Sequence, residues 1–417
     1  MSKKIIAGAA VVIFFLFFPT RSMALEGLEK KKVPDALNPG LDHLLALVSP
    51  DNKATFDPRR IEKILDFILS PKNHQILYSA DKQFGANSVY YEFDIRSDLN
   101  HILQYAFNPE IPSYALRPSS MRLSYRIDIN SQTHPLPKFW NFLSSPDFPI
   151  TFRGIEHIEI TPDLNTGAYF KYDIDEMLIL CKHQGRNLFI SISKMKEKSD
   201  VGKKGLVLGK DEDWHYFYSG QIGLSKTGLG WVNSYMYDSF SVSFYYEVDE
   251  KRPLVRRGTF KWLKAGWANF NMVTTKHIHR GLERFARDYK AILEYPSLPK
   301  AQELASIFSN YEKLTLDDLR KKIENHINTL KRLLGDEKRD YKNFSEQIKS
   351  GRYLNQMTRQ EMKAVLIKEN MKSILGNKSS FFSTFYQWPD FFCDAIIPYH
   401  QTIIVAFSAI NDKFLRL

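Results

Sequence analysis

The sequence predicts an α+β fold. We read a large antiparallel β domain, drawn as a sandwich or partly closed barrel of about nine to eleven strands, followed by a helical C-terminal region. Three observations predict it. Apolar residues alternate with period two from about residue 75 to 275, then shift to a helical period after "TTKHIHRG". Connections between successive strand segments are short, which favours antiparallel pairing because parallel strands need long crossovers. Aromatic residues make up 14% of the chain, with 21 Tyr and 30 Phe, and such rings suit half-buried pleated surfaces. At 417 residues, 43% of them hydrophobic, the chain is long enough for two or three packed units.

The segments follow in order. Residues 1–24 read as an export signal. Lys3 and Lys4 precede an apolar run, Ile5 to Phe18, and small Ser22 and Ala24 stand at the −3 and −1 cleavage positions. A spanning helix needs about 20 apolar residues, so this run is short for an anchor. The expected location is therefore periplasmic or secreted, after cleavage near Ala24. There Cys181 and Cys393 can form a disulfide, with two buried thiols as the alternative.

Residues 25–74 read as a helical segment. In "FDPRRIEKILDFILSP", Asp57 is a natural N-cap, Pro58 suits the first turn, and Ile61, Ile64, Leu65 and Ile68 share one face. The β domain is assigned to 75–275. Its clearest part, "GAYFKYDIDEMLILCKHQGRNLFISISKM", reads as three strands turning at "DIDE" and "HQGRN". A helical region follows over 276–379. Ile278, Leu282, Phe285 and Tyr289 define its first apolar face. Thr315 with Asp318, and Thr358 with Glu361, resemble capping boxes, and "GDEKRDYKNFSEQIKSGR" reads as a charged link. Residues 380–417 form an aromatic-rich tail, expected to pack back on the β domain.

The net charge is +11, and removing Lys3, Lys4 and Arg21 leaves +8 for the exported chain. The signs are interspersed, as on solvated helix faces, so the composition does not point to a nucleic-acid partner. A lipid, a glycan or an anionic envelope component fits better. No integral membrane span is expected once the signal is removed.

Several motifs bear on chemistry. "GQIGLSKT", from Gly220, is one residue from a Walker A loop, with Ser225 in place of the second Gly. A strand-like segment follows it, not a helix. The expectation is a loop from Gly220 to Gly230, with Lys226 exposed and no nucleotide bound. His277 and His279 open a helix, where positions i and i+2 diverge, so no metal site is assigned. Cys181 and His183 share a strand face, but no oxyanion hole can be placed for a nucleophile. No cofactor is called for.

Trp214, Trp231, Trp262 and Trp267 cluster within the β domain and are the candidate ligand-binding residues. The functional expectation is an exported, non-catalytic cell-envelope protein that binds a hydrophobic or carbohydrate ligand through this domain. The alternative is a secreted hydrolase using carboxylates of the β domain, drawn from Asp211, Glu212, Asp213, Asp238 and Glu247. Catalytic residues are not identified. An outer-membrane barrel is disfavoured by about 100 residues of charged helix.

Overall fold

The structure, a computed structural model, describes residues 28–380 except 50–53, 74, 128–134, 145–148, 227–229, 250–251, 336–341 and 378. The expected signal, Cys393 and all but the first residue of the tail lie outside the described residues.

The chain begins with β1 (Glu29–Lys32), α1 (Asn38–Leu47) and α2 (Glu62–Leu69). Then come β2 (Ile76–Ser79), β3 (Asn87–Ile95), α3 (Leu99–Ala106), α4 (Ser113–Leu116), β4 (Met121–Ile127) and β5 (Ile150–Ile160). The middle holds β6 (Ala168–Tyr169), β7 (Lys171–His183), β8 (Arg186–Met195), β9 (Lys203–Val207), β10 (Tyr216–Ile222), β11 (Leu224–Lys226) and β12 (Gly230–Val232). Two long strands, β13 (Tyr235–Glu247) and β14 (Val255–Gly266), complete the sheet region. The helical part is α5 (Thr275–Leu293), α6 (Ala301–Glu312), α7 (Leu316–Gly335), α8 (Lys342–Lys349), α9 (Arg352–Gln356) and α10 (Arg359–Ile374).

The fold is α+β, as the sequence implies. Nine strands form one sheet in the order β1-β2-β3-β14-β13-β8-β7-β5-β4. All its pairs are antiparallel except β1 with β2. Two small sheets, β10-β9-β6 and β11-β12, lie beside it. Alternation along each strand sends side chains to opposite faces. One face, with Ile190, Ile192, Val242, Phe244, Phe260 and Trp262, packs under α1 and α2. The other face meets α3, α4, α5 and α10. Helices α7 to α10 form a further core with Leu206, Leu208 and Phe217 of the β10-β9-β6 sheet.

The N-terminal helix follows its sequence signals. The Asp57 carboxylate accepts from the Arg59 N–H, and Ile61, Ile64, Leu65 and Ile68 are all buried. The same segment also holds β1, an edge strand that apolar patterning could not reveal, because "EKKK" is exposed throughout.

Three expectations need correction. "DIDE" is not a turn: β7 runs unbroken for 13 residues. Its acids are satisfied across strands, Asp173 by His157, Asp175 by Lys196 and Glu176 by Arg126. The segment Gly220–Gly230 is not one loop. Strand β10 extends to Ile222, and β11 then pairs antiparallel with β12. Gly223, at φ 83°, makes the bend between them. The charged link contains α8, whose Phe344 and Ile348 are buried. By contrast, "HQGRN" turns as expected. Gln184 and Gly185, with φ of 50° and 78°, close a two-residue hairpin.

Candidate functional site

The expected tryptophan cluster is dispersed. Trp262 is only 1% exposed and lies under α1 and α2, its Nε1 donating to the Asp81 carbonyl at 2.7 Å. Trp214 is buried on the opposite side, donating to the Asp288 carboxylate at 3.1 Å. Trp267 is half-buried at one end of the sheet, 6.3 Å from the Phe270 ring. The side chain of Trp231 lies outside the described residues, as does that of Lys226. Cys181 is buried, and burial pushes its thiol up to about 12.

The Walker-like stretch lacks the local structure that phosphate needs. Lys226 should open a helix, whose N-terminal N–H groups would hold the anion. Instead it pairs with Gly230 in the β11-β12 hairpin. His277 and His279 also part company. His277 caps α5 through the Thr274 backbone, whereas His279 faces Glu283 and the Tyr91 ring.

The proposed carboxylates do not share a cleft. Asp211 is gripped by Arg284 and Arg287, at 2.5 and 3.0 Å, and these bonds hold its carboxyl below the usual range despite burial. Asp238 and Glu247 stand near opposite ends of β13, about 30 Å apart at strand rise. Glu247 accepts from Asn187 on the adjacent strand.

Trp214 lines a cavity of about 30 Å³ with Arg122, Tyr216, Tyr218, His326, Lys368 and Glu369. That is room for about one water molecule, not a lipid or a sugar. Its charges are well partnered. Arg122 joins Glu159 to Glu361, at 3.0 and 2.5 Å. Glu369 is contacted by His326 at 3.0 Å and Lys372 at 2.8 Å. Lys368 donates to the carbonyls of Pro118 and Met121. These bonds tie α7 and α10 to the sheet region, so the chamber is a structural lock.

A different place has the marks of a site. On the face toward α5, the centre of the sheet is polar. Strand register puts Thr259, Ser243 and Ser191 in one row across β14, β13 and β8. The next row is Lys261, Ser241 and Ser193, continuing to Glu176 on β7 and Gly154 on β5. Because Gly154 has no side chain, Arg126 of β4 reaches across it to Glu176 at 2.6 Å. At about 4.8 Å between strands, the row from β14 to β5 spans about 19 Å.

This floor is partly open. Ser191, Ser193, Ser241, Lys261, Tyr91 and Tyr172 are neither exposed nor fully buried. The hydroxyls of Ser191, Ser193 and Ser241 have no protein partner among the described residues. Lys261 donates to Ser239 Oγ at 2.7 Å, and burial lowers its ammonium pKa to about 8. Arg257, 7% exposed, donates to Ser243 Oγ at 3.2 Å, while its Nε and Nη1 meet no acceptor among the described residues. The guanidinium lies against Phe285, 4.1 Å from the ring centroid, and near Tyr245 and Tyr289. Arg117, at the end of α4, approaches the same Phe285 ring at 5.8 Å. Neither arginine has an ion pair among the described residues.

Burying a charge without a counter-ion is costly, and an arginine does not escape by losing its proton. The charges of Arg126 and Arg117 act on the nearby Glu156 carboxyl, but neither arginine forms an ion pair with it among the described residues. Glu156 is buried, and desolvation together with Glu176 raises its pKa. This part of the sheet face thus brings together Arg117 and Arg257, serine hydroxyls without a protein partner among the described residues, and aromatic neighbours. Sequence reasoning missed it because its members come from β3, β7, β8, β13, β14 and α4. One signal was present: serine at every second position in "SFSVS" and "SIS" places hydroxyls where a dry core would need apolar groups.

A scan against protein-family models finds no match to this chain, and a comparison with curated protein sequences finds none either.

Proposed function

We propose that this is an exported, non-catalytic cell-envelope protein that binds a hydroxyl-rich, negatively charged ligand, of the acidic carbohydrate class, in the groove over β14, β13 and β8. The observation that carries the reading is the pair Arg117 and Arg257. Both lie against Phe285 without a carboxylate partner, beside two rows of hydroxyls. An anion completes the arginines, hydroxyls answer the serines, and the rings of Tyr91, Tyr172 and Tyr245 offer flat apolar walls.

Calorimetric titration tests it. Oligogalacturonate should bind, and the neutral galacto-oligosaccharide of the same length should bind at least about tenfold more weakly, roughly one charge-assisted contact. Equal affinity for the two, or no binding of either, would remove the proposal.

A secreted hydrolase is the second reading, favoured by the Lys261–Ser239 bond and the raised Glu156 pKa. A lysine near pKa 8 can accept a serine proton. Acyl transfer also needs free donors for the oxyanion, and the backbone around Ser239 is paired with β14. Binding without turnover is therefore the reading we prefer. Release of product from oligogalacturonate on prolonged incubation would reverse that preference.

A further inference from the structure

Among the described residues, most of the large apolar side chains left in solvent lie at one end of the sheet. Phe84 is 70% exposed, Phe270 65%, Ile222 57%, Leu164 55% and Met272 49%. Register places their connections together. Asn87 at the start of β3 pairs with Leu263, and Tyr235 at the start of β13 pairs with Gly266. Lys171 at the start of β7 pairs with Glu159 near the end of β5. The Gly223 N–H donates to the Gly202 carbonyl and the Gly202 N–H to that of Ser234, which brings the end of β10 to the same side.

Two of these connections are held in a backbone conformation that disfavours L residues. Phe84 has φ 49°, and Ala268 and Asn269 have φ 48° and 62°. The two turns are joined, because Asn271 Nδ2 donates to the Gly85 carbonyl at 3.3 Å. Lys264 Nζ donates to Asn269 Oδ1 at 2.9 Å. On this braced scaffold Phe84 keeps one face in solvent while stacking on Phe240 at 5.5 Å, and Phe270 stands 6.3 Å from the Trp267 ring.

Cations accompany the rings. Lys194 Nζ lies 5.9 Å from the Phe84 ring, Lys198 Nζ 4.3 Å from Tyr235 and Lys264 Nζ 5.4 Å from Tyr237. Several acids at this end are engaged within the protein. Asp81 pairs with Lys32, and Asp163 accepts from the N–H groups of its own turn. Glu197 and Asp200 are the exposed acids of the connection after β8, and half-buried Asp238, cross-strand from Lys264, feels the charges of Lys194 and Lys264. Aromatic tips flanked by lysines match a bilayer interface, where rings reach past the headgroups and ammonium groups meet phosphate.

We propose that this end of the sheet docks the protein on an anionic lipid surface. Phe84 and Phe270 enter the acyl boundary, while Lys194, Lys198 and Lys264 contact headgroup phosphates. The proposal is independent of the groove and its ligand.

Vesicle flotation of the chain as recovered after export tests it. The protein should float with phosphatidylglycerol vesicles, more weakly with phosphatidylcholine vesicles, and less well at high salt. Phe84→Ser with Phe270→Ser should weaken flotation at least about tenfold with circular dichroism unchanged, any fall in melting temperature being limited to the lost Phe84–Phe240 stacking. Lys194→Gln, Lys198→Gln and Lys264→Gln together should abolish the preference for the anionic vesicles. If the phenylalanine variant fails to fold, the lysine variant and quenching of Trp267 fluorescence by brominated phosphatidylglycerol decide. Absence of wild-type flotation overturns the proposal. So does unchanged flotation of the variants, or a lipid-free self-association that the phenylalanine variant abolishes.

Discussion

Lys261 and Arg257 carry charge into the middle of a sheet whose other face is packed with Val, Ile and Phe. At the residue scale, removing such charges separates binding from folding. Arg257→Met should leave thermal stability equal or higher, since an unpaired buried cation is replaced by an apolar chain of similar length. It should also abolish oligogalacturonate binding. A core residue with no ligand role would behave differently, losing stability without a ligand effect. The pH dependence of Lys261 gives a second check. Its folded pKa is about 8 against an ordinary 10.5. Between those values the unfolded chain holds the extra proton, so this group makes stability rise with pH across that window. Lys261→Met should be the more stable form near pH 7 by about 1–3 kcal/mol, with the gap closing toward pH 10 in denaturant titrations. On the acid side, burial and then the Lys372 charge hold His215 near a pKa of about 3. The unfolded ring protonates near its ordinary 6.5, so stability falls as pH drops from there toward 3. His215→Gln should flatten that acid limb in pH-dependent melting curves.

At the element scale, the caps and apolar stripes did most of the folding that sequence could reveal. The Thr358 hydroxyl accepts from the Glu361 N–H, and the Glu361 carboxylate answers the Thr358 N–H, as the spacing implied. Thr358→Ala should cost about 1 kcal/mol in urea unfolding. Glu361→Ala should cost more, about 3–5 kcal/mol, because it also strips a partner from the buried Arg122. In α7, Leu319, Ile323, Ile327, Leu330 and Leu334 are buried as the periodicity required. Leu316 is exposed instead, and His326 takes a buried place by meeting Glu369. Polar groups that find distant partners explain the errors. Asp173 and Asp175 looked like turn residues, yet His157 and Lys196 keep them in β7. Helices α3, α4 and α9 escaped notice because they are short, at eight, four and five residues, and lie among apolar segments that do not stand out by period.

Over the described residues the molecule is a central sheet with helices on both faces; the α+β class was readable from two periodicities in one chain, whereas the covering of both sheet faces was not. The groove was not readable, because a site distributed over neighbouring strands is visible only once register is known. Lys261, Ser241 and Ser193 are far apart in sequence and adjacent in the sheet. At this scale the two proposed surfaces are distinct. The groove crosses the middle of one sheet face, and the apolar-tipped connections mark one end. Among the described residues, no helix is long and apolar enough to cross a membrane. The central claim is that the groove takes an acidic, hydroxylated ligand. Thermal melting of the wild-type protein and Arg257→Met, each with and without saturating oligogalacturonate, tests it most directly. The account predicts a rise in melting temperature for the wild type alone, since a ligand stabilises only the state that binds it. An equal rise in both proteins, or none in the wild type, would contradict it.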